Sequence, residues 1–197
     1  MKFNLIVCGV GGQGSILSSK IIADAAIKKG YEVRVGETFG AAMRGGSVSS
    51  HVKIGDIHSP LVAHDSAEVI LSMEPLESLR VSVDYLSPEG VVISDIRPWY
   101  PVDTNAGGAF YPSNDEIKAE LKKLGKEVHF IDAAALAKEA GHPRTTNIVL
   151  IGALAALGKL PIESEYLIEA IKARVPSKTV EVNIKAFQLG FDSIKKS

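Results

Sequence analysis

The residues best spaced for chemistry come first in the chain. Gly9-Val10-Gly11-Gly12-Gln13-Gly14 satisfies the G-x-G-x-x-G pattern, lying between a short apolar run and an amphipathic stretch. Glycines let the backbone turn tightly and approach a ligand closely, and free amides at a helix start attract an anion. Glu37 stands just past a second strand, where a ribose-binding acid is expected in a dinucleotide site. A tight turn that only packs a helix on a sheet reads equally well from these residues.

A second cluster runs from Glu37 and Thr38 to Arg44-Gly45-Gly46. A cation beside glycine amides suits a phosphate or carboxylate. The competing reading is a surface loop whose Arg44 pairs with Glu37. Asn147 follows Thr145-Thr146 at a helix start; it reads most simply as part of the cap and is also a candidate cofactor-binding residue. The histidines at 51, 58, 64, 129 and 142 show no converging ligand spacing, so no metal is assigned. No Ser–His–Asp arrangement and no G-x-x-x-x-G-K-[ST] loop stands out, and no catalytic residue is assigned. Trp99-Tyr100-Pro101 reads either as a partner contact or as an arm folded on its own surface.

The elements needed to position these residues follow from periodicity. Phe3 to Cys8 reads as a strand covered on both faces. Ile16 to Lys29 has helical spacing, with Leu17, Ile21 and Ala25 on one face and Gly30 as its stop. Tyr31 to Val35 is the next strand, making a β-α-β unit. Ser47 to Ile54 alternates, and Gly55-Asp56 reads as a hairpin turn returning through Ile57 to Val62.

A strand at 69–73 precedes a helix at 74–85 with Leu76, Leu79 and Val83 on one side. Ser87-Pro88-Glu89-Gly90 reads as a turn, and Val91 to Ile93 as a buried strand. Residues 97–112 read as a loop or arm. A helix at 115–124, a strand at 128–131 and helices at 133–140, 147–157, 163–174 and 180–194 complete the chain. The expected class is α/β, one domain over 1–197. Its sheet is mostly parallel, open and Rossmann-like, with an inserted β-meander and a helical C-terminal third.

Composition limits the function classes. Among 197 residues, 22 Lys+Arg against 23 Asp+Glu leave a formal charge of -1, with no basic run to favour nucleic acid. No apolar run reaches the length of about 18 residues that spans a bilayer, and the N-terminus lacks the pattern of a signal peptide. The single Cys8 closes no intrachain disulfide and cannot supply the four thiolates of a cluster. Its apolar neighbours mark it as a buried strand thiol, and the chain reads as cytoplasmic.

Taken together, several segments resemble the gamma-type subunit or domain of 2-oxoacid:ferredoxin oxidoreductases, in the indolepyruvate branch. They are Gly9 to Gly14, Glu37 to Gly40, Arg44 to Val48, Glu74-Pro75-Leu76-Glu77, Asn147 to Gly152, Val182-Asn183, Ala186-Phe187 and Gly190, in the same order over nearly the whole chain. The resemblance implies a heteromeric enzyme that oxidatively decarboxylates a 2-oxoacid to acyl-CoA, CO2 and reduced ferredoxin. It implies thiamine diphosphate and [4Fe-4S] clusters on partner subunits, with ferredoxin as acceptor. This chain would then be inactive alone and would complete the coenzyme A side of the active region, with Gly11 to Gly14 and Arg44 to Gly46 nearest that ligand. A stand-alone NAD(P)-dependent dehydrogenase and a nucleotide-binding regulatory module are the alternatives, and self-pairing of the isolated chain is left open.

Overall fold

The computed structural model describes residues 1–40, 45–100 and 110–195. Its first strand, β1 (Lys2–Val10), is buried from Phe3 onward. Alternation along an extended chain splits it between two faces. Phe3, Leu5 and Val7 enter one core, Ile6 and Cys8 the other. A strand buried on both faces must lie inside a sheet covered by helices on each side.

That sheet has six strands. After β1 come β2 (Val33–Phe39), β3 (Ser47–Gly55), β4 (Ala67–Ser72), β5 (Leu86–Asp95) and β6 (Glu127–Ile131), in the spatial order β2-β3-β1-β4-β5-β6. Strands β1, β4, β5 and β6 are parallel, whereas β3 runs antiparallel to both β1 and β2. The C-terminal ends of β1, β4 and β5 therefore share one edge of the sheet.

One face carries α1 (Ser15–Lys28), α4 (Ala133–Ala140), α5 (Thr146–Ala156), α6 (Ser164–Arg174) and α7 (Val180–Lys195) around the larger core. The other carries α2 (Pro75–Tyr85) and α3 (Asn114–Leu124). Two short 3-10 turns, Pro143–Thr145 and Ser177–Thr179, lead into α5 and α7. Helix α5 is buried on nearly every side, as its apolar sequence predicts. Helix α3 starts on a capping box in which Ser113 and Glu116 satisfy each other's backbone donors.

Several sequence expectations are corrected. The strand after α1 is 33–39 rather than 31–35, and it does not sit beside β1, because β3 is inserted between them. The β-insertion is the β2–β3 pair; residues 57–62 form no strand. Both edges of β3 are already taken, so a returning strand has nothing to pair with. The segment instead crosses the polar face of β3. Val62 N–H donates to His51 Nδ1 at 3.2 Å, and Lys53 Nζ donates to the Leu61 carbonyl at 3.2 Å.

Ser87 to Gly90 lie within β5, as a register irregularity against β4 rather than a free turn. On α2, Ser78, Val81 and Ser82 are buried, while Val83 is exposed. The 101–109 part of the predicted arm and the 41–44 part of the Gly-rich loop lie outside the described residues.

Candidate functional site

The glycine segment turns from β1 into α1 and is held by its own bonds. Gln13 Oε1 accepts from the Val10 amide at 2.7 Å, and the Gln13 amide donates to the Val10 carbonyl at 3.1 Å. The Gly11 amide donates to the Gly46 carbonyl at 2.9 Å, which brings Gly45-Gly46 against the loop. Gly9 admits no Cβ, which would fall 2.8 Å from Gln13 Oε1 and 2.9 Å from Met73 Cβ. Gly14 has φ +92°, a left-handed conformation that disfavours any side chain. A Cβ there would also meet the Asn147 side chain at 3.0 Å. The amides of Gly12, Gly14, Ser15 and Ile16 have no hydrogen-bond partner among the described residues.

Asn147 is not a cap. It is buried in the first turn of α5, against Gly14, and its Nδ2 donates to Ser18 Oγ at 3.4 Å. The N-termini of α1 and α5 are thereby locked side by side. Each carries the partial positive charge of a helix start.

A cleft of about 490 Å³ opens on these two helix starts. Gly11 to Gly14, Leu17 and Met73 form its floor, with Arg97, Trp99, Pro143, Arg144, Thr146 and Asn147 around them. Arg97 and Arg144 are exposed, and neither guanidinium donates a hydrogen bond to a described residue. In a chain of net charge -1, two exposed arginines and two helix N-termini gathered in one cleft suit an anion. Trp99 adds an indole that is 49% exposed.

Sequence reasoning missed Arg97 and Arg144 altogether, and gave Trp99 a different role. The topology supplies the signal for two of them. Arg97 and Trp99 follow β5, and in an open α/β sheet ligands gather beyond the carboxyl ends of the strands.

Not every anticipated residue is brought here. Glu37 is exposed on edge strand β2, in register with Ser50 of β3 and through it with Val7 of β1. It is therefore level with the middle of β1 and two strands away, about 10 Å across the sheet. A dinucleotide-binding acid sits at the end of the strand next to β1, so Glu37 is not in that position. Thr38 lies on the same edge, its Oγ1 donating to the Ser49 carbonyl at 3.4 Å. Arg44 lies outside the described residues. Gly45 and Gly46 line a second cleft, of about 270 Å³, that shares Trp99 with the first and holds Glu74, Glu77, Arg80 and Tyr111.

Glu74 and Glu77 are both nearly fully buried. Glu74 caps α2 by accepting from the Glu77 amide at 2.8 Å. Burial raises its pKa above the ordinary carboxylate value, against hydrogen bonds from Tyr111 and two backbone amides that lower it. Glu77 accepts from Ser47 Oγ at 2.5 Å and from Arg80 at 2.7 Å. The Cys8 thiol is buried, with its pKa pushed far up by desolvation, which makes it inert as a nucleophile at neutral pH. Among the described residues no cluster of His, Cys, Asp and Glu is arranged to hold a metal, and no helix is long and apolar enough to cross a membrane.

Residues 4–193 match the family described as pyruvate ferredoxin/flavodoxin oxidoreductase, and the chain belongs to that family. It is 44% identical over 198 residues to indolepyruvate oxidoreductase subunit IorB of Pyrococcus horikoshii, covering 99% of this chain and 97% of that one. Its fold matches the crystal structure of a keto/oxoacid ferredoxin oxidoreductase gamma subunit from Geobacter sulfurreducens PCA, with TM-score 0.71, 28% identity and 99% of each chain covered. It also matches 2-oxoglutarate:ferredoxin oxidoreductase from Magnetococcus marinus, a structure with 2-oxoglutarate, coenzyme A and succinyl-CoA bound. There the TM-score is 0.72 at 26% identity, and all of this chain aligns with 31% of that longer one.

Proposed function

We propose that this chain is the gamma-type subunit of a heteromeric 2-oxoacid:ferredoxin oxidoreductase of the indolepyruvate type, and that its cleft receives coenzyme A. The full-length likeness to subunits of such enzymes supports the first part. The observation that carries the second is the convergence of the α1 and α5 N-termini with Arg97, Arg144 and Trp99.

The residues fit that ligand. Coenzyme A carries a diphosphate, a further phosphate and an adenine. Free amides at Gly12 and Gly14 suit phosphate oxygens, and the two guanidinium groups offer charge-assisted hydrogen bonds to phosphate. The Trp99 indole offers a face on which a base stacks. When bound, coenzyme A supplies a thiol that takes the acyl group. This chain's part is to bind the charged end of the ligand and orient it.

The thiamine diphosphate and [4Fe-4S] clusters of the reaction are assigned to a partner subunit, with ferredoxin as acceptor of the complex. A chain with one cysteine, and that one buried in β1, does not fit a cluster. Decarboxylation and electron transfer accordingly take place on the partner, and the isolated chain is inactive.

Calorimetric titration of the full chain with coenzyme A tests the cleft. Arg97→Ala and Arg144→Ala are each expected to weaken binding about tenfold, the equivalent of one charge-assisted contact. NADH serves as the control and is expected not to compete. Unchanged affinity in both variants, or tight NADH binding with hydride transfer, overturns the reading.

A further inference from the structure

A helix start needs a short acceptor, and Ser, Thr, Asp and Asn are the residues that usually provide it. Helix α2 has Glu74 in that place, almost fully buried at 1% exposure. Capping occupies only one of its carboxylate oxygens, Oε2, which accepts from the Glu77 amide. The other oxygen, Oε1, accepts from the Trp99 amide at 3.2 Å and from the Tyr111 hydroxyl. Those two donors lie 25 and 37 residues along the chain, on either side of the 101–109 segment.

A shorter capping residue cannot reach them, because an aspartate lacks one methylene. The Tyr111 ring also meets Tyr100 edge-to-face, with centroids 5.0 Å apart, and Asn114 Nδ2 donates to the Ile96 carbonyl at 2.7 Å. The length of Glu74 is thus used to hold the chain at Trp99, on the wall shared by the glycine cleft and the second cleft.

We propose that Glu74 is a positioning residue for the coenzyme A cleft: its carboxylate fixes the backbone at Trp99 and thereby sets the indole over the Gly11–Gly14 loop. This rests on the reading that the cleft takes coenzyme A. Glu74 does not touch that ligand; it acts through Trp99. Burying a carboxylate beside the equally buried Glu77 disfavours the folded state, and the three donors gathered on Glu74 offset that cost. A cap alone gives no reason for a glutamate here.

Trp99 is the only tryptophan of the chain, so its fluorescence reports this position without a label. Glu74→Asp keeps a carboxylate that can cap α2 but withdraws the acceptor from Trp99 and Tyr111. In the free, full-length protein it is expected to make Trp99 about twice as accessible to acrylamide quenching and to red-shift its emission. Coenzyme A affinity, read by calorimetry, is expected to fall about fivefold, with the far-ultraviolet circular dichroism unchanged. Tyr111→Phe removes one tether without touching the cap. It is expected to move both readouts in the same direction by less, and it carries the test if Glu74→Asp does not fold.

Quenching and affinity that both stay at the wild-type value in a folded variant overturn the proposal. If the wild type binds no coenzyme A, the ligand reading fails, and the quenching comparison still decides whether Glu74 holds Trp99.

Discussion

At the residue scale, Asp95 shows how the same sheet edge stores an unfavourable charge. It ends β5 almost fully buried, with Oδ1 accepting from the Ala133 amide at 3.2 Å and Oδ2 without a hydrogen-bond partner among the described residues. Desolvation is the largest influence on it and pushes its pKa up to about 6, while Arg97 and nearby amides pull the other way. An acid with a raised folded-state pKa binds its proton more tightly when folded. Its contribution to stability is complete below its ordinary pKa near 3.8 and is lost as pH rises through about 6. Urea unfolding between those values is expected to show stability falling with pH by up to about 3 kcal/mol from this group. In Asp95→Asn that part of the slope is expected to vanish; an identical slope in the variant would refute the assignment.

At the element scale, the helical third is held by backbone approach between α5 and α7. A Cβ on Gly152 would fall 2.0 Å from the Phe187 carbonyl oxygen, and one on Gly190 would fall 1.9 Å from that of Val149. Both neighbours are main chain, so neither can rotate away, and any side chain forces the helices apart. Gly152→Ala and Gly190→Ala are each expected to destabilise the fold by at least about 3 kcal/mol, read from thermal or urea midpoints. The consequence reaches the site, because α5 begins at the cleft with Thr146 and Asn147. Gly12, whose Cβ would meet nothing within 4 Å, differs: only its φ of +102° resists substitution there. Gly12→Ala therefore serves as the mild comparison.

At the scale of the whole molecule, parallel β1, β4 and β5 deliver Gly11–Gly14, Met73-Glu74 and Arg97-Trp99 to one edge, and the 143–145 turn and the α5 start that follows it add Arg144 and Asn147 from much further along the sequence. The cleft at that edge gathers two exposed arginines, which suits the anion-binding role proposed for this chain. Reconstitution with a thiamine- and cluster-bearing partner is expected to yield 2-oxoacid-dependent reduction of ferredoxin or a dye. The chain purified alone is expected to give none, and turnover by it alone would end the subunit reading. Much of this was legible beforehand. The apolar run at 3–8 dictated a strand covered twice, the glycine pattern dictated a turn into a helix, and the nearly all-apolar 147–157 dictated a helix without a wet face, because each is fixed by neighbours in the chain. The position of β3 between β1 and β2, the crossing of β3 by 57–62, the reach of Glu74 to Trp99 and the placing of Arg97 and Arg144 in one cleft were decided only by tertiary packing. Strand order and edge availability depend on pairing among distant segments, and no local spacing encodes which of two free strand edges is filled first.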